Sequence, residues 1–222
     1  SKVKYAAGAE IQAGWFNTRV SNNRNGQPDT VQTNDDIRFL VANFFVQGDW
    51  VINEHWFINT GISLNRSTVQ FSRLTVYPVS TQKRIYRNEL APRMSLRRNF
   101  DKGFAVRTTV SRGFSPPTIA ELLPSTGVIS TDLEAEYGWN YELTLIQSLL
   151  KNKLRLEATG FYFKLNKALV QRRDISGADF FINAGDTKQK GLELTADYFT
   201  RFPSKWLYYC NINAAWTLNH FR

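Results

Sequence analysis

The sequence, 222 residues long, predicts an all-β fold, an antiparallel up-and-down transmembrane β-barrel segment of about nine long strands. Three observations predict it. Hydrophobicity alternates with period two nearly end to end, the signature of strands with one apolar face. The alternating segments run roughly eleven to eighteen residues, longer than the five or six of an ordinary strand and ample for the 9–11 that cross a bilayer at a tilt. Short and long connections alternate strictly, as they do when tight turns lie at one end of a sheet and loops at the other.

The strands follow in order. The first sets Val3, Tyr5, Ala7, Ala9, Ile11, Ala13 and Trp15 against Lys4, Ala6, Gly8, Glu10, Gln12 and Gly14. The second sets Leu40, Ala42, Phe44, Val46, Trp50 and Ile52 against Asn43, Gln47, Asp49 and Asn53, and the third Trp56, Ile58, Thr60, Ile62 and Leu64 against Asn59, Gly61, Ser63 and Asn65. Leu90, Pro92, Met94 and Leu96 then oppose Glu89, Arg93, Ser95 and Arg97, and Phe104, Val106, Thr108 and Val110 oppose Arg107, Thr109 and Ser111. Tyr137 to Leu145 opposes Gly138, Asn140, Glu142 and Thr144. Leu154 to Leu165 starts cleanly and blurs at Phe161-Tyr162-Phe163. Leu192, Leu194, Ala196 and Tyr198 oppose Glu193, Thr195 and Asp197, and Trp206 to Leu218 closes the series against Asn211, Asn213, Thr217 and Asn219. No segment reads as a long helix.

Tight turns are expected at Asn53-Glu54-His55, Asp101-Lys102, Lys151-Asn152 and Pro203-Ser204. Long polar loops are expected at roughly residues 21–36, 73–86, 114–135 and 166–188. A soluble β-sandwich also alternates, and two features separate it from a membrane barrel. One is strand length. The other is the polar face, whose Glu10, Arg93, Arg97, Arg107, Glu142, Glu157 and Asp197 suit a wet lumen and are costly in a dry core. Trp50, Trp56 and Trp206 lie beside tight turns, where an interfacial girdle would place them.

Composition narrows the function classes. No run of about 20 apolar residues exists to make a spanning helix. A single cysteine, Cys210, excludes an intrachain disulfide and reads as a small hydrophobe; with His55 and His220 standing alone, a zinc centre is not expected. Aromatics reach 14%, and 28 Lys and Arg against 19 Asp and Glu give a net charge of +9. The basic residues are scattered and form no patch, so nucleic-acid binding is not expected. No Ser/His/Asp spacing, phosphate loop or paired-carboxylate motif stands out, and Glu134 and Glu136 lack supporting residues for acid–base work. The chain is not expected to be an enzyme or to carry a cofactor.

Several strings then resemble the TonB-dependent outer-membrane receptors. Ser111-Arg112-Gly113-Phe114-Ser115-Pro116-Pro117-Thr118-Ile119-Ala120-Glu121-Leu122 is similar to that family's "sRGFspPtlaEl" segment. Leu133-Glu134-Ala135-Glu136 with Asn140-Tyr141-Glu142-Leu143 resembles its "L-x-P-E … nYElG". Phe161-Tyr162 resembles "lFY", and Phe181-Ile182-Asn183-Ala184-Gly185 with Gly191-Leu192-Glu193-Leu194 resembles "y-x-NaG … GvEle". Phe45 to Trp50 and Leu90 to Leu96 fit two earlier strands. The resemblance covers roughly residues 40–198, and departs from the pattern at Ala135 and Thr144, where Pro and Gly are usual.

The resemblance implies a barrel of about 22 strands, of which residues 1–222 form a single β-barrel segment; the plug domain and remaining strands are expected to lie outside it. The start at Ser1-Lys2-Val3, without an initiator Met, is expected for a processed chain or a piece of a longer one. The family imports a scarce solute, most often a ferric siderophore, across the outer membrane of Gram-negative bacteria. Its partners are outer-membrane lipid and lipopolysaccharide, its own plug, and the TonB energy-coupling complex reached through the N-terminal part. A passive or structural outer-membrane barrel, and a soluble β-rich extracellular binding module, are the alternative readings.

No ligand-contact residue is carried over from the family. The loop Gly113–Glu136 reads either as a vestibule wall that traps ligand or as a loop packed on the rim. Arg24, Arg73, Lys83, Arg84, Arg172, Arg173, Lys188 and Lys190 read either as attractors of anionic ferric chelates or as a solvated, lipopolysaccharide-facing rim. Arg93, Arg97, Arg107, Glu142 and Glu157 either pair with a plug or pair with one another.

Overall fold

The structure, a computed structural model, describes residues 2–123, 129–175, 177–202 and 206–221. Nine long strands form one antiparallel sheet in chain order, each hydrogen-bonded to the next. They are β1 (Lys2–Arg24), β2 (Gln27–Val51), β3 (Trp56–Arg73), β5 (Glu89–Asn99), β6 (Phe104–Ser115), β7 (Glu136–Leu149), β8 (Leu154–Asn166), β11 (Thr187–Arg201) and β12 (Leu207–Phe221). The intervening numbers belong to short strands in the connections: β4 (Thr81–Ile85) extends the sheet beside β3, while β9 (Leu169–Arg173) and β10 (Asp179–Asn183) pair only with each other. One four-residue helix, α1 (Ile119–Leu122), is opened by a capping box between Thr118 and Glu121.

Every strand keeps the expected parity. Val3 faces Trp50, Phe44 faces Leu64, Leu143 faces Gly160 and Leu192 faces Trp216, so one apolar face runs unbroken from β1 to β12. The opposite face is a polar wall. Asn59 donates to Asp49 at 2.6 Å, Thr109 to Ser95 at 3.2 Å and Thr195 to Asn213 at 3.0 Å, while the Thr144 and Thr159 hydroxyls meet at 3.0 Å. Glu10, Arg93, Arg97, Arg107, Glu142, Glu157 and Asp197 all lie on this side by register. The blur at Phe161-Tyr162-Phe163 has a local cause. Tyr162 points outward, whereas Phe161 and Phe163 lie flat on the polar wall over Gly191 and Gly138, leaving no room for a Cβ at either glycine.

The sheet is a single layer and is not closed. Along the partner row Trp50, Ile58, Leu96, Thr108, Leu143, Gly160, Leu192, Trp216 the height above the nearest tight turn climbs steadily. The climb is about eight residues over seven strand steps, ~27 Å of rise for ~34 Å of width, a strand tilt of roughly 40°. That tilt is what closure into a barrel requires.

Tight turns stand at one end. Ile52 N–H bonds Trp56 O at 3.1 Å, Phe100 N–H bonds Phe104 O at 2.8 Å, and Phe202 N–H bonds Trp206 O at 3.0 Å. Asn53 Oδ1 closes the first by accepting from His55 and Trp56 N–H, both at 2.9 Å. The turn expected at Pro203-Ser204 lies outside the described residues.

At the other end one expectation fails. Residues 21–36 are not a long loop: β1 and β2 continue as a ribbon to a two-residue turn at Asn25-Gly26. Both turn residues have positive φ, 52° and 83°, the pattern of a type I′ hairpin turn, and Asn-Gly is its preferred sequence. The polar composition of this stretch hid its strand character because both faces of the ribbon are wet. The other long connections carry structure of their own, β4, α1 and the β9–β10 hairpin.

Candidate functional site: the loop-capped mouth and the polar wall

The only dry apolar cluster among the described residues lies at the loop end, on the polar side of the sheet. Ile37, Val69 and Phe71 turn that face apolar above β1–β3, and Tyr86, Leu122 and Leu133 cover them, with Ile119, Leu169 and Phe181 packed alongside. The α1 segment and the β9–β10 hairpin therefore fold inward over the mouth. For the described part of Gly113–Glu136 the packed-loop reading holds; Ser125 and Thr126 of its tip lie outside the described residues.

Polar bonds pin this cap. Asn183 Nδ2 donates to Lys167 O at 2.7 Å and Glu134 O at 3.0 Å, and its Oδ1 accepts from Glu134 N–H at 2.8 Å. Lys167 pairs with the Glu134 carboxylate, and Glu136 accepts from Leu169 N–H at 2.5 Å. Glu134 and Glu136 are thus structural anchors. Below, Asp35 is 2% exposed and takes a bidentate grip from Arg73 at 2.7 and 2.9 Å. This bond raises the Arg73 pKa further.

Between the cap and the wall opens a cleft of about 560 Å³, lined by Arg84, Tyr86, Arg87, Glu89, Arg112, Glu134 and Lys167 among others. Two of its four cations are spoken for: Arg112 binds Glu89 at 2.6 Å and Lys167 binds Glu134. Arg84 and Arg87 have no acidic partner among the described residues. Arg84 reaches only Leu133 O at 3.5 Å and lies over the Tyr86 ring at 5.6 Å. The Arg84 Nε and the Tyr86 hydroxyl are buried and find no well-aligned hydrogen-bond partner among the described residues, although the Arg84 guanidinium lies close enough to the hydroxyl to act on it; a buried polar group left fully unpaired costs about 1–3 kcal/mol. Burial holds the Tyr86 pKa above its ordinary value, against the pull of the nearby Arg84 charge.

Lower on the wall lies a concavity of about 630 Å³ that includes Arg107, Glu142, Glu157 and Glu193. Mutual pairing is partial here. Arg107 reaches Glu157 at 3.9 Å, and Arg155 also binds Glu157. Yet Arg97 and Arg107 are direct cross-strand partners, a juxtaposition that destabilises a sheet. The Arg97 Nε finds only the neutral Asn99 amide oxygen, at 2.8 Å.

The cations grouped as loop residues by sequence separate in space. Arg24 sits at the ribbon tip, and Arg73 is committed to Asp35. Lys83 and Arg84 lie on β4, and Arg172 and Arg173 on β9, with Arg173 bonding Asp179 at 2.9 Å. Lys188 and Lys190 are not in a loop but on β11 and, by register, on the apolar outward face. Arg87 and Tyr86 were missed by the sequence reading. An Arg-x-Tyr-Arg run next to a strand carries no periodic signal, and only the α1 cap gives it meaning. Cys210 falls on the outward face opposite Tyr198, as expected of a small hydrophobe.

A family model described as "TonB dependent receptor-like, beta-barrel" matches residues 3–222, a longer stretch than the motifs alone cover. Among solved structures the copper transporter OprC superposes with a TM-score of 0.75 at 16% identity, over 99% of this chain and 35% of that one. The ferric yersiniabactin uptake receptor FyuA from Yersinia pestis gives 0.65 at 18%, over 98% and 33%. The siderophore receptor PiuA from Acinetobacter baumannii gives 0.65 at 15%, over 98% and 35%. The chain spans about a third of the length of each of these proteins. No functionally curated protein matches the sequence significantly.

Proposed function

Since the chain belongs to the TonB-dependent receptor-like β-barrel family, we propose that it is one part of the wall of an outer-membrane receptor importing a ferric siderophore with energy coupled through TonB. The observation that carries the cargo class is the cleft at the mouth, where Arg84 and Arg87 present positive charge without an acidic partner among the described residues, Arg84 reaching only Leu133 O at 3.5 Å, beside the buried Tyr86 hydroxyl. Such a site attracts an anionic chelate. It disfavours a bare metal cation, so copper ion itself, the cargo that the name of one structural neighbour suggests, is the weaker reading. The wall performs no chemistry on its cargo.

The receptor's own plug is the partner that fits the polar wall. Arg97 and Arg107 face one another and ask for an acidic group, while Glu193 has no cation within pairing distance among the described residues and asks for a basic one. A plug would supply both. In this reading the plug, and the N-terminal part through which the separate TonB complex is reached, are segments other than residues 1–222, which keeps the chain as a single β-barrel segment.

The test is ligand binding by the whole receptor in detergent. Arg84→Gln with Arg87→Gln is expected to weaken a ferric siderophore by about tenfold, ~1.4 kcal/mol, with a shallower salt dependence than the parent. Unchanged affinity would remove the cleft from the cargo path.

A further inference from the structure

The cleft at the mouth holds two ion pairs, and they differ in kind. The Arg112 and Glu89 side chains are 17% and 18% exposed and meet at 2.6 Å, and Arg112 also lies over the Tyr137 ring at 5.1 Å. That pair is fixed. The Lys167 and Glu134 side chains are 41% and 47% exposed, and an ion pair so open to water is weakly held.

Lys167 is also marked by its backbone. It stands between the end of β8 at Asn166 and the start of β9 at Leu169, with a φ of 57°, in the left-handed region that disfavours a residue with a side chain. Asn183 holds it there by donating to the Lys167 carbonyl at 2.7 Å, a bond that persists whichever partner the ammonium takes. Asn183 grips Glu134 in the same way, through its N–H at 2.8 Å and its carbonyl at 3.0 Å, and leaves the carboxylate free of that framework. Anchored backbones thus deliver both charges to the cleft, while the contact between the charges is exchangeable.

We infer that the Glu134 carboxylate is an internal competitor for the cargo. It occupies Lys167 before cargo arrives, and an anionic chelate must displace it to gain a third cation beside Arg84 and Arg87, which line the same cleft. A strongly anionic chelate offsets the broken pair through its own contact with Lys167. A weakly charged or uncharged one does not, and leaves Lys167 on Glu134. The pair therefore makes the cleft discriminate by cargo charge, a difference of affinities set by a contact the wrong cargo cannot replace. The inference rests on the ferric-chelate reading proposed above.

The whole receptor in detergent is titrated with two probes, a trianionic ferric tris-catecholate and an uncharged ferric tris-hydroxamate. Glu134→Gln keeps the backbone bonds to Asn183 and is expected to tighten the tris-catecholate about fivefold while leaving the tris-hydroxamate unchanged. Lys167→Gln is expected to weaken the tris-catecholate. Glu134→Gln/Lys167→Gln is expected to match Lys167→Gln alone, the non-additivity of residues that act through one contact. A carbodiimide is expected to cross-link Lys167 to Glu134 in the parent, and saturating tris-catecholate to suppress that cross-link. Unchanged affinity in Glu134→Gln, or equal tightening with and without Lys167, overturns the competitor; the second result would make Glu134 a plain repeller of anions. In either case, tris-catecholate binding that still falls with Arg84→Gln/Arg87→Gln keeps the receptor reading. A parent that takes only the uncharged chelate overturns the inference alone, and one that takes neither overturns both.

Discussion

Asp35 shows how a single side chain decides a boundary. It stands where the wet ribbon of β1–β2 meets the dry cluster of Ile37 and Phe71, and its burial is tolerable only because Arg73 supplies two bonds from β3. Removing one partner of a buried pair typically costs about 3–5 kcal/mol. Asp35→Ala in the whole receptor is therefore expected to loosen the loop end of β2 and β3 by roughly 3 kcal/mol. Amide exchange over residues 33–38 and 69–73 would rise while the strand centres near Gly61 stay protected. Unchanged exchange there would mean that the apolar cluster alone holds the junction. Neither partner was legible in the sequence: Asp35 sits in a polar run, and Arg73 was grouped with the loop cations.

Among the elements, the β9–β10 hairpin carries a pH signature. It is joined to the cap mainly through Asn183, and Arg173 bridges its strands to Asp179. The hydrogen bond from Arg173 lowers the Asp179 pKa. Folded, the group holds its proton less tightly than unfolded, so its contribution is present above the ordinary carboxylate pKa of about 3.9 and is lost as pH falls through the depressed value. Proteolysis of the hairpin by an acid protease is expected to accelerate below about pH 4 in the parent. Asp179→Asn should be cleaved faster than the parent by a neutral protease at pH 7 and, with the acid protease, show a smaller acceleration across that range; parallel profiles would place the pH response elsewhere.

The long strands were readable because period two survives wherever one side meets lipid and the other water. Hairpins such as β9–β10 were not, because strands of five residues are too short to show a sustained alternation. The Asn25-Gly26 turn did carry a signal, its dipeptide, that the polar composition around it outweighed.

For the whole molecule, the apolar face from Val3 to Trp216 and the free edges of β1 and β12 define what this chain lacks by itself. In the proposed outer-membrane placement lipid covers the face, since exposed side chains such as Trp15 and Ile212, each more than 60% accessible, would drive association in water. In the barrel proposed above, further strands would pair with these edges, since lipid offers no hydrogen bonds. The number of long strands and their parity were legible in the sequence; the short strands β4, β9 and β10 and the tight Asn25-Gly26 turn at the loop end were not. The cleft was not, because Arg84, Tyr86, Arg112 and Lys167 converge from four connections and strands that only the fold brings together. Lys188 and Lys190 were visible in the sequence but grouped with the loop cations, whereas they lie on β11.

The most direct test of a wall with lipid on one side and water on the other is paired cysteine labelling in intact outer membranes. Cys210 is first replaced by Ala in the whole receptor. Ile62→Cys, Leu143→Cys and Leu192→Cys are then compared with Ser63→Cys, Thr144→Cys and Glu193→Cys. The account predicts that the first three react only with a membrane-soluble maleimide and the second three with a charged one that enters the lumen. Equal reaction of both sets with the charged reagent would contradict a membrane-spanning wall.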